Sequence, residues 1–285
     1  MMKTKENALI VALDERWNKY RSQIKNCRRD FSEETVHALR VATRRLLAAM
    51  DILRALDPHP RIQKTRRVLK NQLDSLDDLR NVQVMLADIS VAAANFPELE
   101  SFESHLVARE KKLLRKAHKA LNRFQVSDLK KQIGRTRTSL EEKAQAQGFS
   151  EHLLPELDKA YSKAMQAFGQ MDASQPASIH RLRIAFKKFR YMVEIANPIL
   201  AAYPEANLQQ MHEYQSKMGD VQDAEVFLQA LADFAKQSAS AITLEPARAF
   251  FELQLKEMIN AFMTGKDVIN RFWRSAPDQP FPWEN

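Results

Sequence analysis

Two short rows of basic residues hold the chemistry open to this chain. The first lies in Val36-His37-Ala38-Leu39-Arg40-Val41-Ala42-Thr43-Arg44-Arg45-Leu46 and the second in Ile179-His180-Arg181-Leu182-Arg183-Ile184-Ala185-Phe186-Lys187-Lys188-Phe189. On a helix advancing about 100° per residue, with His37 at zero, Arg44 falls near 340° and Arg40 near 300°. Leu39, Ala42, Leu46, Ala49, Met50 and Leu53 occupy roughly 120° to 220°, an ordinary core stripe on the opposite side. In the second row His180, Arg183, Lys187 and Arg190 share an arc of about 80° and span about 15 Å along the axis. Arginine offers a planar fork to phosphate oxygens and lysine a mobile point charge. A histidine at the head of each row can donate a hydrogen bond and gain charge beside an anion. Like charges one turn apart cost stability, so two such rows imply a ligand that compensates them, and their length suits an extended polyanion.

Further cations would extend the path. Lys64, Arg67 and Lys70 share one side of a helix opened by Pro60, and Lys112, Arg115, Lys119 and Arg123 follow a similar spacing farther on. A solvated helix surface explains these equally well. His180 has no second histidine or carboxylate at ligand spacing on its own helix, and no metal site is expected at either histidine. No glycine-rich phosphate loop, two-histidine zinc helix or nucleophile elbow occurs, and neither a cofactor nor catalysis is expected. An enzyme alternative rests on Asp74, Asp77 and Asp78 and on Asp220, Asp223 and Glu225, acidic sets reminiscent of the magnesium–diphosphate motifs of helical isoprenoid synthases, though in reversed order. Nucleic acid is the other alternative, since a basic groove attracts any phosphate backbone. Single-strand binders add aromatic platforms for bases, and apart from Tyr191 the aromatics of these two segments fall on or near the apolar side.

The elements that must position the rows are helical. The chain has 285 residues, only five of them glycine, and no sustained alternation of apolar and polar residues, so the expected class is all-α. Helices are predicted over about 7–28, 32–55, from Pro60 onward, continuing or breaking near Asn81, 97–124, 128–147, 151–170, 178–196, 204–234 with a break at Gly219, and 246–273, with an irregular tail from Pro277. No uncharged run approaches the ~18 residues of a membrane span, no signal peptide is legible, and the single cysteine, Cys27, excludes an internal disulfide. A cytoplasmic protein is expected. Net charge is +8, with 29 basic against 19 acidic residues through Glu142 and 15 against 17 after it. That asymmetry points to a polyanionic partner.

The rows are an internal repeat at an offset of 143 residues, from His37 to His180, and a second pair of blocks follows in the same order. Leu76-Asp77-Asp78-Leu79-Arg80-Asn81-Val82-Gln83-Val84 parallels Met218-Gly219-Asp220-Val221-Gln222-Asp223-Ala224-Glu225-Val226. Two related helical bundles are therefore expected, residues 1–147 and 148–285, packed with pseudo-two-fold symmetry.

With these motifs at half-chain offset, nearly the whole chain resembles the CHAD domains, the conserved histidine α-helical domains. The resemblance implies two four-helix bundles around a basic groove or pore that binds inorganic polyphosphate, often at polyphosphate granules. By motif match it gives binding roles to His37, Arg40, Arg44, Arg45, His180, Arg183, Lys187, Lys188 and Arg190. Arg45 and Lys188, near 80° on their wheels, would flank the groove. Phosphate or sulfate ions would occupy the same site. The chain departs from the family's Gly-x-x-Arg-Asp pattern in both downstream blocks. The first has Asp77 and Asn81 in place of glycine and aspartate but keeps Arg80, a further site candidate; the second keeps Gly219 and Asp223 but has Gln222 for arginine. Nothing matches the acidic and basic strands of the triphosphate-tunnel domain that accompanies some CHAD domains, leaving a stand-alone binder as the expectation.

Overall fold

The computed structural model describes residues 2–144, 152–198, 200, 203–237 and 244–284. The anticipated boundary at 147/148 lies outside them. Every regular element among the described residues is helical: α1 (Met2–Arg29), α2 (Glu33–Leu56), α3 (Pro60–Asp74), α4 (Asp77–Ala92), a 3-10 turn (Pro97–Leu99), α5 (Glu100–Arg123), α6 (Val126–Ala144), α7 (Leu153–Gly169), α8 (Pro176–Ala196), α9 (Glu205–Gln237), α10 (Glu245–Thr264) and a 3-10 segment (Lys266–Arg271). No described helix is long and apolar enough to cross a membrane.

Three apolar clusters hold these helices together. One joins α1, α2, α3 and α6 with the neighbouring ends of α4 and α5, through Leu13, Tyr20, Leu39, Leu46, Leu69 and Leu140 among others. A second joins α7 and α8 to the first part of α9 and the last part of α10, with Phe186, Phe189, Tyr214, Phe262 and Trp273 interlocking as tilted or edge-on rings. The third lies where α4 and α5 meet the far part of α9 and the start of α10, around Phe102, Phe227 and Phe251. Each such side chain contributes about 1.5–3 kcal/mol on full burial.

Helix α2 serves two of these cores. Leu39, Leu46, Met50 and Leu53 point into the first, while Ala48, Ala49 and Ile52 join the second beside α7 and α8. Small residues on that second side allow close approach, and so α2 and α8, the helices bearing the basic rows, pack against each other.

One anticipated break is absent and another falls earlier. α9 runs unbroken through Gly219: a helical glycine costs only about 1 kcal/mol, and the burial of Met218 and Val221 on either side offsets it. The corresponding stretch of the first half breaks earlier, at Ser75–Leu76, rather than near Asn81. There the Ser75 hydroxyl donates to the Gln72 carbonyl at 2.7 Å, and Leu76 is buried as the chain turns. The tail after α10 lacks further α-helix, as expected from Pro277, but it is packed. Trp283 stacks on Phe281 and meets Tyr203, while Asp158 accepts from the Trp273 indole and from Arg274.

Candidate functional site

Each basic row begins within the first turns of its helix. Ser32 and Thr35 form a reciprocal capping box at the start of α2, one turn ahead of His37. Pro176 opens α8, where Ser178 Oγ accepts from the Asp172 N–H at 3.0 Å and donates to the Gln175 carbonyl at 2.7 Å. From these starts the helical period sends Arg40 and Arg44, and Arg183 and Lys187, toward the seam between α2 and α8.

Arg40 is 3% exposed, with Nη2 2.7 Å from Asp77 Oδ1 and Nη1 donating to the Leu73 carbonyl at 3.3 Å. Burial pulls its pKa down and Arg44 adds to that, while Asp77 opposes both. The Nε atoms of Arg44 and Arg183 are both buried and have no hydrogen-bond partner. Burial lowers the Arg183 pKa, Arg44 pushes the same way, and Asp223 and Asp220 push back. Lys187 is depressed furthest, to about 8, by burial and then by Arg44 and Arg183, with Asp77 opposing. Arg40, Arg44, Arg183 and Lys187 therefore form one cluster of mutually repelling cations contributed by both halves of the chain.

The histidines sit at its ends. His37 is exposed, and burial of part of its ring together with Arg80, Arg44 and Arg40 lowers its pKa. His180 is lowered by burial and then by Arg183 and Lys187, and its Nδ1 is buried without a partner. Arg80 adjoins His37 and Arg40 and reaches across to α9, with Nη2 3.8 Å from Asp223 Oδ2.

Several expected residues stand apart. Arg190 is on the row's arc but is consumed internally: it is 6% exposed, its Nε donates to Gln215 Oε1 at 2.9 Å, it is ion-paired with Glu194, and its guanidinium lies 4.5 Å from the Tyr191 ring centre. Lys188 lines a different cavity, of about 390 Å³, with Asp51, Arg54 and Lys163. Arg45 is exposed, and its charge is felt by Arg16 of α1. Lys64 and Arg67 on α3 and Lys112 and Arg115 on α5 are exposed, and Lys70 is paired with Asp74 at 2.6 Å.

The acidic sets do not assemble as a magnesium site would require. Asp74 and Asp77 are committed to Lys70 and Arg40, and no group of three or more His, Cys, Asp or Glu among the described residues is placed to hold a metal ion. Acid reaches the cluster from other helices, through Asp77 of α4 and Asp220 and Asp223 of α9. Asp220 has its pKa raised by burial and by Asp223, with Arg183 opposing.

The repeat relates these contacts. Asp77 and Gly219 hold matching positions in the two downstream blocks, and each lies against the matching arginine. Asp77 pairs with Arg40, whereas a Cβ on Gly219 would lie 3.4 Å from Arg183 Nη2. Two cavities are also lined by matching residues. His37, Arg80, Gln83 and Val84 line one of about 570 Å³, and His180, Gln222, Glu225 and Val226 line another of about 740 Å³. The larger one includes His105, Arg109 and Phe234, which inspection of the basic helices alone could not find.

The model of the CHAD domain family matches residues 11–232. No curated protein sequence matches the chain. Among solved structures, the CHAD domain from the plant Ricinus communis is similar, with a TM-score of 0.68 at 19% identity over 92% of this chain and 91% of that one. PptA from Streptomyces chartreusis is similar at a TM-score of 0.67 and 15% identity, over 93% and 98%. With a family model spanning most of its length and a helical architecture shared with a CHAD domain structure, this protein belongs to the CHAD domain family.

Proposed function

We propose that this protein binds inorganic polyphosphate, without turning it over, through the cations gathered where α2 meets α8. One observation carries the reading: Arg44 and Arg183 each present a buried Nε without a partner beside Lys187, whose pKa is depressed to about 8. Buried polar atoms are almost always hydrogen-bonded, and repelling cations held out of water need a counter-charge. A flexible chain of phosphates supplies acceptors and charge together. The matched contacts of Arg40 and Arg183 and the matched cavities support a duplicated, two-bundle architecture around one basic groove. Arg44, Arg183 and Lys187 form its centre, with His37, Arg40, Arg80 and His180 bordering it. Residence in the cytoplasm, on polyphosphate granules, follows from this reading.

The test is binding of long-chain polyphosphate, orthophosphate and single-stranded nucleic acid at fixed ionic strength, by the wild type and by the folded Arg44→Gln/Arg183→Gln/Lys187→Gln variant. Length-dependent polyphosphate binding that exceeds nucleic-acid binding, and is lost in the variant, supports the reading. Equal or tighter binding of nucleic acid, or an unaffected variant, overturns it.

A further inference from the structure

The cavity of about 740 Å³ between α4, α5, α8 and α9 differs in kind from the cation cluster it adjoins. Its floor is apolar, from Met85, Phe102 and Leu106, and Phe234 stands in its wall with ring contacts to His105 and Phe102 at 5.1 and 5.2 Å. His180 belongs to this lining and to the α8 row, so the cavity opens at the end of the proposed anion path.

The repeat shows what has changed here. Arg80 and Asp223 make the ionic contact across the halves, and the residues matching them are Gln222 and Asn81, both in the lining of this cavity. At these two matched positions one side of the molecule has a guanidinium and a carboxylate and this side two neutral amides, while Arg109, Glu225 and Asp233 carry the charges elsewhere in its lining. Amides offer donors and acceptors at once and do not demand a charged partner. Aromatic and apolar faces beside them suit a flat heterocycle.

We infer that this cavity holds the base of a nucleoside polyphosphate whose phosphates run past His180 to Arg183, Lys187 and Arg44. His180 and Lys187 are seven residues apart, about 10 Å along the helix, a distance a short phosphoanhydride chain can cover. Asn81 and Gln222 read the polar edge of the base, and Phe234 with His105 covers a face. This rests on the proposed phosphate-binding reading for the tail of the ligand and adds recognition of an organic head group.

Calorimetric titration of the full chain with ATP and with inorganic tripolyphosphate, without divalent ions and at fixed ionic strength, tests the inference. ATP is expected to bind at least tenfold more tightly despite carrying no more phosphates. Asn81→Leu and Phe234→Ala should each remove most of that advantage while leaving long-chain polyphosphate affinity within twofold. Asn81 is exposed, so its replacement tests the cavity even if loss of Phe234 unsettles the third core. Polyphosphate binding with ATP no better than tripolyphosphate, or an ATP advantage untouched by Asn81→Leu, overturns this inference alone. Binding of neither polyphosphate nor ATP overturns the phosphate reading beneath it.

Discussion

Arg40 Nη2 and Asp77 Oδ1 lie 2.7 Å apart, in an ion pair whose arginine side chain is 4% exposed and whose aspartate is 47% exposed. The matching arginine of the second half, Arg183, has Gly219 beside it instead. Exchanging these arrangements should move affinity in opposite directions. Asp77→Asn is expected to raise polyphosphate affinity about tenfold and to cost roughly 1–2 kcal/mol of stability as Arg40 loses a charge-assisted bond from a half-exposed partner. Gly219→Asp should lower affinity by a similar factor and raise the unfolding temperature. Paired calorimetric and denaturation measurements on both variants check this; changes of the same sign would contradict it.

Removal of Arg44 or Arg183 should separate binding from folding. Each interaction with a phosphate is worth about 1.5–3 kcal/mol, so Arg44→Gln and Arg183→Gln should weaken binding roughly 10- to 100-fold. Stability should hold or rise, because each replacement relieves repulsion and removes a buried Nε without a partner. Thermal unfolding without ligand provides the check, and a marked fall in unfolding temperature would assign these arginines a structural task.

Arg190 should behave in the reverse manner. Its buried guanidinium bridges Gln215 and Glu194, both partly buried, so Arg190→Gln is expected to lose about 1–2 kcal/mol as their bonds to it are lost, with affinity altered less than threefold. Urea titration combined with binding at low temperature distinguishes the outcomes.

Lys187 ties binding to pH. Its folded pKa, about 8, lies below its ordinary 10.5 because of burial, Arg44 and Arg183. Between those values the unfolded chain holds the extra proton, so this residue makes the empty protein more stable as pH rises. Anion affinity should run oppositely, falling as pH passes through 8 and Lys187 loses its charge, with proton uptake on binding near that pH. Titrations in two buffers of different ionisation heat measure the uptake, and Lys187→Arg should abolish it.

The helical wheel places Arg40, Arg44, Arg183 and Lys187 on a common side because that side depends only on local periodicity. It fails for Arg190, which has the correct angle but is covered by Gln215 from α9, a residue distant in sequence. Asp77 and Gly219 are visible in the repeat as departures, yet their opposition to Arg40 and Arg183 depends on where α4 and α9 cross the basic helices. The cavity beside His180 was hidden for the same reason, since Phe234 and His105 come from α9 and α5 and carry no local signature. Gly219 shows the limit of breaker residues: burial on both sides of it outweighs its backbone freedom.

The unpartnered guanidinium atoms at the α2–α8 seam also bear on how long the folded chain lasts. A ligand that binds only the folded form adds stability by mass action, about 2.7 kcal/mol at a hundred times its dissociation constant. Where the empty site is itself a source of repulsion, a bound anion relieves it as well. On the proposed reading, depletion of the polyanion would leave a molecule that opens more often and meets proteases sooner, so its abundance would track the supply of what it binds.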